Sequence, residues 1–217
     1  MLTAPSPRDR RDLRFVILWI IAPLALAFLA AVMLVRYQGK SVAKLLSDPA
    51  AALHTNPLLG FVSNIGILGW CAGATVALFA AWLLHRARQA PEAARFHVGA
   101  GLFTALLMAD DFFLIHDALA PRYLHLPQNV VYALYCALFA LFVVRCRHAL
   151  LARNPALFAA AVALLGLMAG LDALLPGYSP LASLVMSGSK FLGIFTWSAW
   201  LILAARHDLE SVRSAPH

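Results

Sequence analysis

Leu106-Leu107-Met108-Ala109-Asp110-Asp111-Phe112-Phe113-Leu114-Ile115-His116-Asp117 sets three carboxylates and an imidazole in a run that otherwise has the hydropathy of a membrane span. An ionisable group in the bilayer costs from a few to roughly 10 kcal/mol. Such groups have partners, water or a task. This stretch is therefore where both the class of the protein and its candidate site are read.

The surrounding composition fixes the class. The chain has 217 residues, of which 62% are hydrophobic and 12% charged, with a mean hydropathy of +0.79. A soluble domain carries roughly a quarter charged residues. The expected fold is an all-α, polytopic membrane bundle. Cys71, Cys136 and Cys146 lie in or beside apolar runs without C-x-x-C spacing, so they suggest neither a zinc knuckle nor a disulfide framework. The net charge of +7 does not mark a nucleic-acid binder, because the basic residues cluster between apolar runs, where membrane topology explains them.

Outward from the opening stretch, the apolar runs predict six spans over 15–35, 58–84, 96–119, 129–144, 155–175 and 181–205. The transmembrane domain is thus 15–205, flanked by a basic tail over 1–14 and a polar tail over 206–217. Arg10-Arg11 precedes a run too long for a signal peptide, so the first run reads as an uncleaved helix. Between spans one and two, Val42, Leu45, Leu46 and Leu53 interleave with Lys40, Lys44 and Asp48. That pattern suits either a short amphipathic segment on the membrane surface or a plain loop. Gly69-x-x-x-Gly73 in span two and Gly166-x-x-x-Gly170 in span five are close-packing signals, and make a homo-oligomer through these faces an expectation.

Basic residues in alternate connections split 12 against 4, with Lys190 left inside a span. The positive-inside rule places both termini in the cytoplasm and suits the bacterial inner membrane. With that orientation, Asp110 and Asp111 lie roughly 12–14 Å below the outer end of span three and Lys190 roughly 12 Å below the outer start of span six. His116, Asp117, Asp172, Ser63, Asn64, Tyr132 and Tyr135 sit close to the outer ends of their helices. Polar residues of five helices converge on the outer third of the bilayer. On a continuous helix Asp110 and Asp117 are nearly in line, with Asp111 and His116 to either side. Ser183, Ser187, Lys190, Ile194 and Trp197 form one stripe of span six, so Lys190 is the natural partner of Asp110 or Asp111.

Asp110, Asp111, Asp117 and Asp172 outnumber Lys190 by three charges. The excess is relieved by protonation, by water, or by a divalent cation, since carboxylate plus imidazole suits zinc, manganese or ferrous iron. Three readings stay open. One is a metal site of Asp110, Asp111, His116, Asp117 and Asp172. There Asp110, Asp111, His116 and Lys190 serve membrane-embedded chemistry, hydrolytic and directed at a membrane lipid, supported by Ser63, Asn64, Tyr132, Tyr135 and Ser187. A second is a small cation- or proton-coupled transporter. The third is an accessory subunit whose charges only specify packing. His85, His97 and His148 lie at inner ends beside arginines and read as interfacial, which leaves haem without a ligand pair.

The motifs Asp110-Asp111-x-Phe113-x-x-His116-Asp117 and Lys190-x-x-Gly193-Ile194-x-x-Trp197 resemble a family of uncharacterised bacterial six-helix membrane proteins. Its members tend to have Glu where Asp117 stands and an acid shortly before the lysine. Here Ser187-Gly188-Ser189 has none, which removes one ligand from span six. The resemblance covers most of the span order through two short motifs. It supports the choice of residues and implies no activity.

Overall fold

The structure, a computed structural model, describes residues 14, 16–46, 53–56, 58–88, 90–174 and 179–214. The basic tail, apart from Arg14, and the 176–178 part of the turn before the last span lie outside them. The chain divides into two units, Met1–Leu59 and Gly60–His217.

In the first unit a π-helical turn, π1 (Ile17–Ile21), runs directly into α1 (Ala22–Tyr37). Pro23 explains the join. Proline has no N–H and its ring crowds the preceding turn, so the helix widens before it. The Ala22 N–H accordingly reaches the carbonyl of Ile17, five residues back. Gly39, at φ 66°, ends α1 in the left-handed conformation. The Lys40 N–H closes the end on Val35 O at 3.0 Å. The interleaved segment that follows contains a five-residue helix, α2 (Val42–Leu46).

The second unit holds α3 (Phe61–Ala87), α4 (Pro91–Phe113), a π-helix π2 (Ile115–Leu124), α5 (Gln128–Ala152), α6 (Pro155–Leu174) and α7 (Pro180–Ser214). α3 to α7 are each long and apolar enough to cross a membrane, which is the character of a multi-pass membrane protein. α1 alone is shorter than such a span. Pro91, Pro155 and Pro180 each stand at the first helical position, where the missing N–H costs nothing.

Small residues set the helix register. A Cβ on Gly69 would stand 3.0 Å from Ile194, and one on Gly73 would stand 2.8 Å from Ser198 Oγ. The α3 glycines therefore seat α7 within the chain. Among the described residues a Cβ added to Gly166 or Gly170 of α6 would meet nothing within 4 Å, so that face is open to them. The core between the helices is aromatic: Phe96, Trp197 and Trp200 are fully buried, with Phe103, Phe139 and Phe158 against them. Buried indoles place their N–H on an acceptor. Trp197 donates to Thr104 Oγ1 at 2.9 Å and Trp200 to Arg153 O at 2.6 Å.

Two boundaries differ from the sequence expectation in a way that matters. The third apolar helix stops at Phe113 instead of running to 119. The last helix does not give way to a polar tail at Arg206 but continues to Ser214, held by side-chain pairing described below.

Candidate functional site

The break after Phe113 builds the site. Leu114 has φ 52° and ψ 48°, a left-handed conformation that costs a non-glycine residue roughly 1–2 kcal/mol. The side chain of Asp110 offsets that strain. Its Oδ1 accepts the His116 backbone N–H at 3.0 Å, and its Oδ2 meets His116 Nδ1 at 2.5 Å. Asp110 thus supplies acceptors to a backbone that has left the α-helical ladder. His116 and Asp117 consequently belong to π2, and the in-line placing of Asp110 and Asp117 on one continuous helix does not hold.

Two branches of contacts spread from this corner. In one, Lys190 Nζ of α7 donates to Asp111 Oδ1 at 2.6 Å, and Trp70 Nε1 of α3 donates to Asp111 Oδ2 at 2.9 Å. Of the two carboxylates open to Lys190, the structure selects Asp111. In the other, Tyr135 Oη of α5 donates to Asp110 Oδ1 at 2.8 Å. His116 Nε2 faces Asp117 Oδ1 at 3.2 Å. The Gln128 amide donates to Asp117 at 3.3 Å and to Asp172 at 3.2 Å, and Tyr132 Oη donates to Asp172 at 2.6 Å. The His116 ring also lies 4.9 Å, centroid to centroid, from that of Tyr132.

Asp110, Asp111, His116, Asp117, Asp172, Lys190, Tyr132 and Tyr135 thus all join these contacts. Ser63, Asn64 and Ser187 are exposed and make no side-chain hydrogen bond among the described residues. Trp70 and Gln128 escape a reading based on charge. For Trp70 the available signal is an indole N–H at mid-span that must find an acceptor. For Gln128 it is an amide directly after Pro127, at the mouth of span four.

The imidazole decides the chemistry. A neutral ring donates from one nitrogen only. Both nitrogens of His116 face carboxylate oxygens, so the ring satisfies both when it carries both protons. The carboxylates differ sharply in setting: the side chain of Asp110 is 7% exposed and that of Asp117 is 52% exposed. One histidine therefore connects a dry acid to a wet one. This arrangement can hold a proton and hand it along.

Both ring nitrogens of His116 are turned to carboxylates, and Asp111 is taken by an ammonium and an indole. No three His, Cys, Asp or Glu side chains among the described residues are grouped to hold one ion.

A second polar cluster lies near the other end of α4, roughly 20 Å along the helix from Asp110. His97 does not sit at an interface but is fully buried, with Nε2 on Asp208 Oδ2 at 2.9 Å. Arg153 Nε shares that oxygen at 2.8 Å. His97 Nδ1 has no partner among the described residues. Asp208 anchors the extension of α7 past residue 205.

No curated protein and no solved structure matches this chain. Residues 19–204 match the domain of unknown function DUF8692, and the chain belongs to that family.

Proposed function

We propose that this chain is a proton-handling membrane protein, in which the Asp117–His116–Asp110 relay binds protons from the outer aqueous side and couples them to transport across the bilayer. The observation that carries the reading is the single imidazole joining a buried carboxylate to an exposed one. Ionisable groups inside membrane proteins commonly form such relays. The Lys190–Asp111 pair beside it supplies a fixed internal ion pair.

In this reading the protein has six spans, with 17–37 as the first, since π1 and α1 together make a stretch of about the ~30 Å bilayer core. Both termini are in the cytoplasm and the location is the inner membrane, supported by the uneven basic residues. The open glycines of α6 are the face on which two copies meet.

The test is proton entry into proteoliposomes carrying an internal pH dye and an imposed potassium–valinomycin potential. Wild type acidifies the lumen faster than Asp110→Asn, and Asp117→Asn falls between them. Equal rates for wild type, Asp110→Asn and protein-free vesicles would overturn the proposal.

A further inference from the structure

At the end of the bundle opposite the relay, α3 and α4 leave a groove of about 480 Å³ on their outer surface. The turn between these helices is short. Leu78 presses on Gly101, where an added Cβ would stand 2.7 Å from Leu78 Cγ. The two helices therefore touch at that level. The groove is floored by Leu78, Ala81 and Ala94 and walled by Trp82 and Val98, with His85 and Arg95 at its mouth. Its volume falls within the roughly 300–1,000 Å³ of ordinary small-molecule sites.

The two halves of this groove have opposite chemistry. Trp82 is 49% exposed and Val98 is 43% exposed. The sequence at this end is basic: His85, Arg86, Arg88 and Arg95 lie within eleven positions whose only acid is Glu92, and His85 and Arg95 line the groove. Arg86 lies over the Trp82 ring at 5.0 Å, so a guanidinium is held beside one wall residue of the groove. Arg95 uses only its Nε, on Pro91 O at 3.3 Å, which leaves both terminal nitrogens unengaged among the described residues. A guanidinium fork of this kind matches a phosphate in geometry and charge.

We infer that this groove is the seat of one anionic phospholipid, with an acyl chain along Leu78, Trp82 and Val98 and the phosphate held by Arg95 and Arg86. Charge complementarity at the mouth and an apolar wall running from it into the bilayer select a lipid over a soluble anion. Basic pockets between membrane helices bind anionic headgroups by the same combination. The lipid seat is independent of the proton relay.

Native mass spectrometry of the full chain in mild detergent tests it, with dioleoyl phosphatidylglycerol and dioleoyl phosphatidylcholine as probes. Wild type retains one phosphatidylglycerol in preference to phosphatidylcholine. Arg86→Gln with Arg95→Gln weakens that adduct roughly 30-fold, from the contribution of each arginine near an anionic headgroup. Val98→Trp fills the groove without changing charge and abolishes the same adduct. Arg145→Gln with Arg147→Gln, a basic pair elsewhere, leaves it intact. Equal retention of the two lipids, or equal loss from the Arg145 and Arg147 pair, would overturn the inference. So would full displacement by soluble glycerol phosphate. If the double arginine variant is unfolded by its thermal melt, Val98→Trp decides: an undiminished adduct there rejects the site.

Discussion

The carboxylate of Asp110 holds both the backbone N–H and the ring of His116, six residues further on, across a helix break. One side chain is at once the fastening of the turn and the inner partner of the imidazole. Removing it leaves a buried imidazole short of a partner and an unpaired amide. Asp110→Ala should lower stability by about 3–5 kcal/mol. Asp117→Ala, at an exposed carboxylate, should stay within about 1 kcal/mol. Thermal unfolding in detergent compares the two.

The strain at Leu114 gives an opposite expectation. The residue is 52% exposed and its backbone is left-handed. Glycine accepts that conformation without the Cβ penalty, so Leu114→Gly should raise stability by about 1 kcal/mol. Leu114→Val, stiffer and equally strained, should lower it. A fall in melting temperature for the glycine variant would mean that the break is not held in this conformation.

Lys190 pairs with Asp111 and not with its neighbour Asp110. Lys190→Met should therefore cost about 2 kcal/mol, the range of a hydrogen bond between charged groups that are partly exposed. Adding Asp111→Asn should recover much of that loss. Adding Asp110→Asn should make it worse. A double-mutant cycle on unfolding free energies separates the two pairings.

The glycines divide by what they touch. Gly73→Ala drives a methyl into Ser198 of α7 and should cost about 1–3 kcal/mol. Gly166→Ala meets open space and should gain up to about 1 kcal/mol from helix propensity. Gly166→Leu should weaken self-association if α6 is where two copies meet. Unfolding curves and cross-linking in membranes read the two effects.

Asp208 and Glu210 lie two residues apart on the same helix, with side chains 5% and 62% exposed. Asp208→Ala strands Arg153 and His97 together and should cost about 3–5 kcal/mol. Glu210→Ala removes only an exposed pair with Arg206 and should cost no more than about 0.5 kcal/mol. The same difference should appear as rapid proteolysis of the 206–214 segment in Asp208→Ala alone.

Hydropathy was enough to find the apolar helices, because length and apolarity are properties of local sequence. Charge inside those runs was enough to nominate Asp110, Asp111, His116 and Lys190. Helical rise led to the expectation that the polar ends of different spans share a similar depth. Depth, however, does not choose partners. Whether Lys190 meets Asp110 or Asp111 depends on how α7 is rotated and seated, and that is set by Gly66, Gly69 and Gly73 against Ile194, Phe195 and Ser198. The break at Leu114 has no glycine or proline at it to announce it; the Asp110 side chain replaces one backbone hydrogen bond that the helix gives up there. Trp70 and Gln128 carry no charge, so their sequence signals are weak and their neighbours identify their partners. His97 looked interfacial by position, and became buried once Asp208, more than a hundred residues away, supplied its partner. The sequence by itself determined that long apolar helices form and which of them carry ionisable groups. The tertiary structure decided which of those groups touch, because contact is fixed by packing between segments that are distant in the chain.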